Sequence, residues 1–305
     1  MNHYDRTLKL RYNTAFIVNA EAGGGKAGRV WQQIEQLLNE AGQRYTVYFT
    51  DRPGDGTILA AKSVKKGAEL VVAVGGDGSL REVVNGIDLG KIILGILPLG
   101  TGNGFRRSTG IPGRWQEALY GLNSWEPQNV DIGSINETFF LNVVGIGFDA
   151  AVAEMASHKY RFIKGYMAYL AAFFNELLHF EHFAAELSCD GQILKEDNTL
   201  LVVIANGRFY GGALSIAPNA SITDGNLDLL LVKGKTNPET TVIAVKALMK
   251  KHLTHDGVLS MVGKEITVGA DHPVLVHVDG EVIGNLPVRI KVHPKALKLL
   301  TPPSI

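Results

Sequence analysis

The sequence predicts two domains, an N-terminal doubly wound parallel α/β domain followed by a C-terminal β-sandwich-like domain. From Thr14 to Leu122, short apolar runs alternate with segments of helical spacing, a rhythm typical of a parallel sheet with helices on both faces. After Asn129–Gly133 strand patterns dominate, and Asp-Gly pairs separate them as turns. The chain has 305 residues, of which 46% are hydrophobic, so it can bury two cores.

The N-terminal half contains four predicted strands, each of them a short apolar run. Apolar residues at helical spacing over Lys26–Ala41, followed by Gly42, predict a helix that ends at this glycine. The predicted strands are Thr14–Asn19, Tyr45–Thr50, Leu70–Val74 and Ile92–Leu97, and the predicted helices are Lys26–Ala41, Thr57–Lys66, one that begins over Ser79–Asn85, and Trp115–Leu122.

The C-terminal half is predicted to be mostly strands, interrupted by one long helical region over Ala150–His179. The predicted strands are Thr138–Val144, Ala184–Cys189, Leu200–Ala205, Leu227–Val232, Leu259–Met261, Glu265–Gly269, Val274–Val278 and Val288–Val292.

Composition excludes several classes of protein. The 30 basic and 30 acidic residues balance, which gives no footprint for nucleic acid. The single cysteine, Cys189, cannot form an internal disulfide and fits a reducing cytosol. The most apolar stretch, Gly165–Phe174, is shorter than the ~20 residues that cross a bilayer. Because Met1–Arg6 is polar with no apolar signal segment behind it, we expect a cytoplasmic protein.

Two glycine-rich turns directly follow the third and fourth predicted strands, Gly75–Ser79 and Gly100–Asn103. Ligands of open α/β sheets bind at the carboxyl ends of the strands, and glycine lets the backbone approach a phosphate closely. One turn carries the carboxylate of Asp77, and the other carries Thr101 and Asn103. Together they predict a nucleoside triphosphate site with a metal ion.

Each turn also has a purely structural interpretation. Asp77 either holds a metal ion or caps the helix predicted near Ser79. The turn around Gly100 is either a phosphate loop or a long turn of residues that tolerate positive φ. A third glycine turn, which includes Gly23, follows Asn19. It is not a Walker A loop because Ala27 follows Lys26, but it is still predicted as a phosphate-facing turn into a helix.

Two turns of the C-terminal half also concentrate oxygen ligands. Ser221–Asp228 has the composition of a Mg²⁺-binding turn, and a plain hairpin turn explains its spacing equally well. Asp279 and Glu281 place two carboxylates on one turn, where one of them could deprotonate a hydroxyl. The alternative is an ordinary type I′ hairpin at Asp279–Gly280.

In this order the motifs resemble the diacylglycerol kinase catalytic-domain family, in particular its soluble bacterial lipid kinases, which are similar to sphingosine and ceramide kinases. The resemblance extends from Phe16 to Pro302. Its motifs are Val18–Asn19 with the glycine turn after it, Gly75–Ser79, Glu82–Gly86, Pro98–Asn103, Asn142–Ala150, Tyr210–Gly212, Asp224–Asp228 and Asp279–Glu281.

The resemblance implies that ATP and Mg²⁺ are used to phosphorylate the hydroxyl of a neutral lipid, first of all diacylglycerol to phosphatidic acid. It implies an ATP-binding domain over residues 1–133, to which residues 287–305 return, and a lipid-substrate domain over 134–286. The implied nucleotide-binding residues are Asn19, Gly23, Thr50, Gly75, Gly76, Asp77, Gly78, Ser79, Glu82, Gly100, Thr101 and Asn103. The implied metal-binding residues are Asp77, Asp131, Ser221, Asp224 and Asn226, and the implied catalytic and lipid-contacting residues are Asp279, Glu281, Asp77 and Asp149.

The chain departs from the family pattern at two positions. Ser79 stands where the family usually has Thr, and the hydroxyl is kept. Gly104 stands where diacylglycerol kinases of this group usually have an Asp that joins Asp77 and the equivalent of Asp131 in a water-linked metal network. Sphingoid-base kinases are similar to this chain in having a small residue there, so the departure bears on the lipid more than on kinase activity.

The resemblance also implies a partner, a lipid substrate reached at the inner membrane surface. The apolar segment Tyr166–Phe174 either touches acyl chains or packs in the core. Oligomeric state is not readable from the sequence, and a homodimer is one alternative. Two rival functions remain: a kinase for a soluble substrate, since NAD kinases and phosphofructokinases are similar in the Gly-Gly-Asp-Gly turn, and a nucleotide- or lipid-binding regulator without catalysis.

Overall fold

A computed structural model describes residues 8–159, 166–209, 214–234 and 251–303, together with positions 242, 243, 246 and 249. The chain divides into two compact units, which we call the first unit (Met1–Ile132 with Pro294–Ile305) and the second unit (Gly133–His293). The predicted motif Tyr210–Gly212, the N-terminal Met1–Arg6 and Gly165 lie outside the described residues.

The first unit is built on a parallel sheet. Its strands are β1 (Thr14–Val18), β2 (Tyr45–Phe49), β3 (Leu70–Gly75) and β4 (Ile93–Pro98), and its helices are α1 (Ala22–Glu40), α2 (Asp55–Lys65), α3 (Asp77–Val84), α4 (Gly104–Ser108) and α5 (Trp115–Ser124). The order is β2-β1-β3-β4, all parallel, and the end of β15 (Val288–Thr301) adds a parallel neighbour beside β4. Every residue of β1, β3 and β4 is buried, as the continuous apolar runs predict.

Helices cover both faces of this sheet. Trp31 of α1 packs against Tyr45 and Phe49 of β2. The ammonium groups of Lys62 in α2 and of Lys66, directly after it, lie over the ring of Tyr48. This ring projects from the opposite face because side chains alternate along a strand. The predicted doubly wound arrangement is therefore confirmed.

The second unit is mainly antiparallel. Its strands are the end of β5 (Glu126–Ile135), β6 (Thr138–Phe140), β7 (Val143–Gly147), β8 (Phe183–Cys189), β9 (Gln192–Ala205), β10 (Leu227–Lys233), β11 (Val258–Gly263), β12 (Glu265–Ala270), β13 (Leu275–Val278), β14 (Glu281–Asn285) and the start of β15. The order is β14-β13-β7-β9-β8-β12-β15, and β10 and β11 continue the pairing from β9. Two helices, α6 (Phe148–His158) and α7 (Tyr166–His179), precede β8.

Several predicted elements differ from those observed. The strand predicted over Thr138–Val144 is two strands, β6 and β7, because the chain turns at Leu141–Asn142. The strand predicted over Leu200–Ala205 is only the second half of β9, and the one predicted over Val288–Val292 continues to Thr301 in β15. The long helical region is two helices, and residues 160–165 between them lie outside the described residues.

The apolar segment in α7 belongs to an amphipathic helix. Ala168 and Ala172 are buried in a cluster with Phe148 of α6, so core packing accounts for one face. Met167 and Phe174, seven residues apart, are each 61% exposed. Within the described residues, no helix has the length and apolar character needed to cross a bilayer.

Candidate active site

The loops that follow β1, β3 and β4 meet at one edge of the first unit's sheet. The side-chain amide of Asn19, after β1, donates to Ser79 Oγ at 3.0 Å. The backbone N–H groups of Leu99 and Gly100, after β4, both donate to the carbonyl of Gly75 at 2.9 Å. These hydrogen bonds bring together the three glycine turns that the sequence predicts to bind phosphate. We call the three turns together the glycine edge.

The glycine edge has no room for side chains where its loops touch. A Cβ on Gly100 would collide with the backbone of Gly76, and a Cβ on Gly23 would collide with the carbonyl of Leu99. Gly23, Gly24 and Gly25 all have positive φ, which is why the first turn of α1 is not regular helix. The close approach leaves backbone groups as the lining of this edge, a surface suited to phosphate.

Asp77 joins the two loops instead of capping its own helix. It lies inside α3, and its carboxylate accepts hydrogen bonds from the backbone N–H of Gly104 at 2.8 Å and of Phe105 at 3.2 Å. Burial raises the pKa of Asp77, and these two N–H groups and the charges of Arg106 and Arg107 oppose that rise. The alternative interpretation of Asp77 as a cap of α3 is therefore wrong, since it caps α4.

Glu82 shapes a fourth loop at the glycine edge. Its two carboxylate oxygens accept the backbone N–H of Gly54 at 2.8 Å and of Gly56 at 2.9 Å, just before and at the start of α2. The backbone N–H of Thr50 donates to Val18 at the end of β1. Glu82 therefore holds the loop that follows Thr50, and its contacts are to the backbone.

Asn103 and Thr101 have different roles in the loop after β4. Asn103 has positive φ, and its amide donates to the carbonyl of Gly100 at 2.8 Å, so it stabilises the turn. Thr101 is exposed. Of the two side chains, the hydroxyl of Thr101 is the more accessible to a ligand.

Asp131 is fully buried in β5 and accepts a hydrogen bond from the backbone N–H of Lys295 at 2.7 Å. Lys295 has positive φ, so Asp131 stabilises an irregular point of β15. Among the described residues, no three His, Cys, Asp or Glu side chains form a group that could hold a metal ion. A single carboxylate, Asp77, still fits a Mg²⁺ ion that takes most of its ligands from phosphates and water.

The turn between β13 and β14 carries the two predicted catalytic carboxylates. Asp279 and Gly280 both have positive φ, as a type I′ turn requires. The carboxylate of Asp279 accepts three backbone N–H groups, from Leu141 at 3.2 Å, Asn142 at 3.1 Å and Val143 at 2.8 Å. Asp279 thus holds the bend between β6 and β7, whereas the side chain of Glu281 is exposed.

Two buried amides complete this bend. Asn142 donates to the carbonyl of Phe209 at 2.5 Å, and Asn206 donates to the carbonyl of Leu141 at 2.6 Å. Asn206 was not predicted as a functional residue. The signal for it was a polar residue at the end of the apolar run Leu200–Ala205.

Asp149, the predicted lipid contact, lies in the first turn of α6. Its carboxylate is 3.1 Å from Nε2 of His277, whose side chain is fully buried. His277 was not predicted either. The sequence signal was a histidine within the apolar strand of residues 274–278, two residues before Asp279.

The predicted metal turn at Ser221–Asp228 is compact. Asn226 N–H donates to Asp224 Oδ1 at 3.0 Å, and the Ser221 and Thr223 hydroxyls lie 3.1 Å apart. Asp228, which is not among the predicted metal-binding residues, is only 8% exposed. Burial, and secondarily the charge of Asp224, raise its pKa to about 6.

Family models match both halves of the chain. The family model described as "Diacylglycerol kinase catalytic domain" matches residues 13–135. The model described as "YegS C-terminal NAD kinase beta sandwich-like domain" matches residues 142–301, which is more than half of the chain.

Individual relatives match along most of their length. Diacylglycerol kinase of Staphylococcus haemolyticus is 28% identical over 97% of this chain and 90% of its own, and that of Bacillus subtilis is 29% identical over 84% and 85%. A crystal structure of a protein from Bacillus anthracis matches with a TM-score of 0.78 and 25% identity, over 97% of this chain and 99% of its own. The chain belongs to the diacylglycerol kinase catalytic-domain family, a family of lipid kinases.

Proposed function

We propose that the protein transfers the γ-phosphate of Mg-ATP to the hydroxyl of a neutral lipid, with diacylglycerol as the first acceptor to test. The observation that carries the proposal is the glycine edge, where the backbones of Gly76 and Gly100 approach too closely for any side chain. Phosphoryl transfer depends mainly on positioning and on neutralising the charge of the phosphates. Close-packed glycine backbone beside one buried carboxylate lets a phosphate approach the loops and places a magnesium-binding group next to it.

The triphosphate would bind along the loops after β1, β3 and β4. Thr101, exposed on the third of these loops, is the hydroxyl available to a phosphate or to the ribose. Asp77 would hold Mg²⁺ directly or through water, and the ion would neutralise the phosphates. Asp77 already has two backbone N–H partners, which fix the direction of its carboxylate.

Glu281 is the better candidate for the group that accepts the proton of the lipid hydroxyl. Asp279, its alternative, accepts three backbone N–H groups and maintains the bend at residues 141–143. Glu281 begins β14 and its side chain is exposed, so it can reach an acceptor. We therefore assign the catalytic carboxylate to Glu281 and the shaping of the turn to Asp279.

The lipid would be taken from the cytoplasmic face of a membrane. Met167 and Phe174 form an exposed apolar patch on α7, with 61% of each residue accessible. Exposed apolar side chains on one face of a helix favour shallow insertion between lipid head groups. Asp149 would accept a hydrogen bond from the polar head of the bound lipid.

The test is transfer of labelled phosphate from Mg-ATP to a panel of lipids in mixed micelles. The panel contains diacylglycerol, a sphingoid base and a monoacylglycerol, and Asp77→Asn is the blank. A labelled lipid that is absent from the blank supports the kinase and identifies its acceptor. Gly104, at the position of the family's usual Asp, is the reason to include sphingoid bases from the start.

Two other results would each point to a rival function. Transfer to a water-soluble acceptor without any lipid would indicate a kinase for a soluble substrate. Binding of ATP without transfer to any acceptor would indicate a regulator, which Gly104 would explain by the missing carboxylate.

A further inference from the structure

His277 and Asp149 form a buried polar pair in the second unit. Nε2 of His277 lies 3.1 Å from Oδ2 of Asp149, and their side chains are 0% and 11% exposed. The two residues are 128 positions apart in the chain, one in β13 and one in α6. A polar pair held among the apolar side chains of β7 and β13 requires a full set of hydrogen-bond partners.

The hydrogen bond at the second ring nitrogen, Nδ1, shows which of the two nitrogens carries the proton. The backbone N–H of Gly280 donates to Nδ1 of His277 at 3.3 Å. Since an N–H group can only donate, Nδ1 must accept, and the ring proton is on Nε2, which donates to Asp149. The other oxygen of Asp149 accepts the backbone N–H of Ala150 at 2.9 Å. One neutral ring therefore links the start of α6 to the turn that carries Glu281.

The sheet leaves space for this link at one position. Gly145 of β7 is the residue directly opposite His277 of β13. A Cβ on Gly145 would collide with both Oδ2 of Asp149 and Nε2 of His277. Any residue other than glycine at 145 would therefore separate the pair.

We infer that His277 is a positioning residue that orients Asp149 and the Asp279–Glu281 turn together through its two ring nitrogens. This inference rests on the proposed function, in which Asp149 contacts the lipid head and Glu281 accepts the hydroxyl proton. Asp149 controls how the acceptor lipid is held, and the turn controls how the hydroxyl reacts. The two nitrogens of His277 therefore act on different kinetic constants.

Two conservative variants separate the two bonds. The amide nitrogen of Gln reaches the place of Nε2, so His277→Gln keeps a donor for Asp149 and loses the acceptor for Gly280. The amide oxygen of Asn reaches the place of Nδ1, so His277→Asn keeps an acceptor for the N–H of Gly280 and loses the donor for Asp149. We expect His277→Asn to raise the KM for lipid about tenfold with little change in kcat, and His277→Gln to lower kcat about tenfold with little change in KM.

The matched control is His252→Gln. His252 is also buried, at 2% exposure, and its Nε2 bonds the backbone carbonyl of Ile216. This control should lower thermal stability, and it should not change one of the two constants, KM or kcat, while leaving the other as it is. If the two His277 variants change KM and kcat in parallel, or leave both as they are, the inference is wrong.

A second measurement detects the hydrogen bond between His277 and Asp149 in the protein with His277 in place. In ¹⁵N-histidine spectra, the signals that are missing from His277→Gln identify His277; in the unaltered protein they should show the Nε2–H tautomer, and they should shift in Asp149→Asn. An Nδ1–H tautomer of His277, or no response of its signals to Asp149→Asn, would overturn the inference. Absence of lipid phosphorylation by the unaltered protein would overturn the proposed function and the role in turnover, while the spectra would still decide whether the link exists.

Discussion

Gly76 and Gly100 are in backbone contact across the loops that follow β3 and β4, and a Cβ on Gly100 would overlap the backbone of Gly76. We expect Gly100→Ala to abolish phosphoryl transfer and to weaken ATP binding at least tenfold, because the loops must separate to admit the methyl group. Calorimetric titration with ATP measures the second effect. Gly269→Ala is the control, since the nearest atom to its Cβ is a carbonyl oxygen 4.0 Å away, and it should bind ATP normally.

Asp77→Asn should lower kcat about 100-fold or more, because it removes the charge beside the phosphates and one of the two oxygen acceptors for the N–H groups of Gly104 and Phe105. Thermal unfolding shows whether the loops remain intact. Asp88→Asn, which alters an exposed carboxylate in the same unit, should retain full activity. Turnover near the unaltered rate in Asp77→Asn would show that the charge of Asp77 is not needed for phosphoryl transfer.

The two carboxylates of the β13–β14 turn should respond differently to amide substitution. Glu281→Gln should reduce kcat and change the unfolding temperature less than Asp279→Asn does, because the side chain is exposed. Asp279→Asn should reduce both, because an amide group cannot accept three backbone N–H groups. Paired measurements of kcat and unfolding temperature check this. If Glu281→Gln turns over normally while Asp279→Asn is inactive but stable, the assignment of the two roles is reversed.

Because the pKa of Asp228 is raised, we expect the free energy of unfolding to fall as the pH rises through the weakly acid range. The pKa of the Asp228 carboxyl group is about 6 in the folded protein and near 3.8 in the unfolded chain. The group is therefore harder to ionise in the folded state. The destabilisation caused by ionising Asp228 in the folded protein is absent below about pH 4 and is complete above about pH 6. In buffer containing EDTA, Asp228→Asn should therefore raise the unfolding temperature at pH 7.5 by about 3 °C or more and change it little at pH 4.

A divalent cation at the same turn would change this result. If Ser221, Asp224 and Asn226 bind Mg²⁺, adding the ion at pH 7.5 should stabilise the unaltered protein more than Asp228→Asn. Equal effects of Mg²⁺ on both proteins would exclude a role for Asp228 at that turn.

The apolar patch on α7 should matter only when the substrate is in a bilayer. Changing Met167 and Phe174 together to Ser should raise the apparent KM for lipid in vesicles about tenfold, because two exposed apolar contacts with the membrane are lost. Activity with detergent-dispersed lipid should stay the same. The control is the pair Ile193→Ser and Val262→Ser, two exposed apolar residues at 66% and 58% accessibility that lie outside α7.

Much of the first unit could be predicted because β1, β3 and β4 are buried on both faces and appear as unbroken apolar runs, such as Leu70–Val74. Strand β5 escaped prediction because its first half, Glu126–Asn129, is polar. Helix α4 escaped because it is a single turn that begins with Gly104. Local patterns fail where neighbours distant in sequence decide the structure.

The same limit applies to the candidate site. The glycine turns are local signals, so the sequence alone indicates them. The three hydrogen bonds of Asp279 go to residues 136–138 positions away, and His277 depends on Asp149, 128 positions away. Only the folded chain brings such partners together, and a lone histidine in an apolar strand has no pattern that distinguishes it from a core residue.

Strand β15 begins in the second unit and ends in the first, where Lys298 and Leu299 pair with Ile93 and Leu94 of β4. On the ribosome, this part of β15 is synthesised after the whole of the second unit. Until then β4 presents an unpaired edge, the kind of edge that promotes association between chains. The first unit therefore cannot complete its sheet when its first 132 residues have emerged, and the edge of β4 stays open to other chains during this interval.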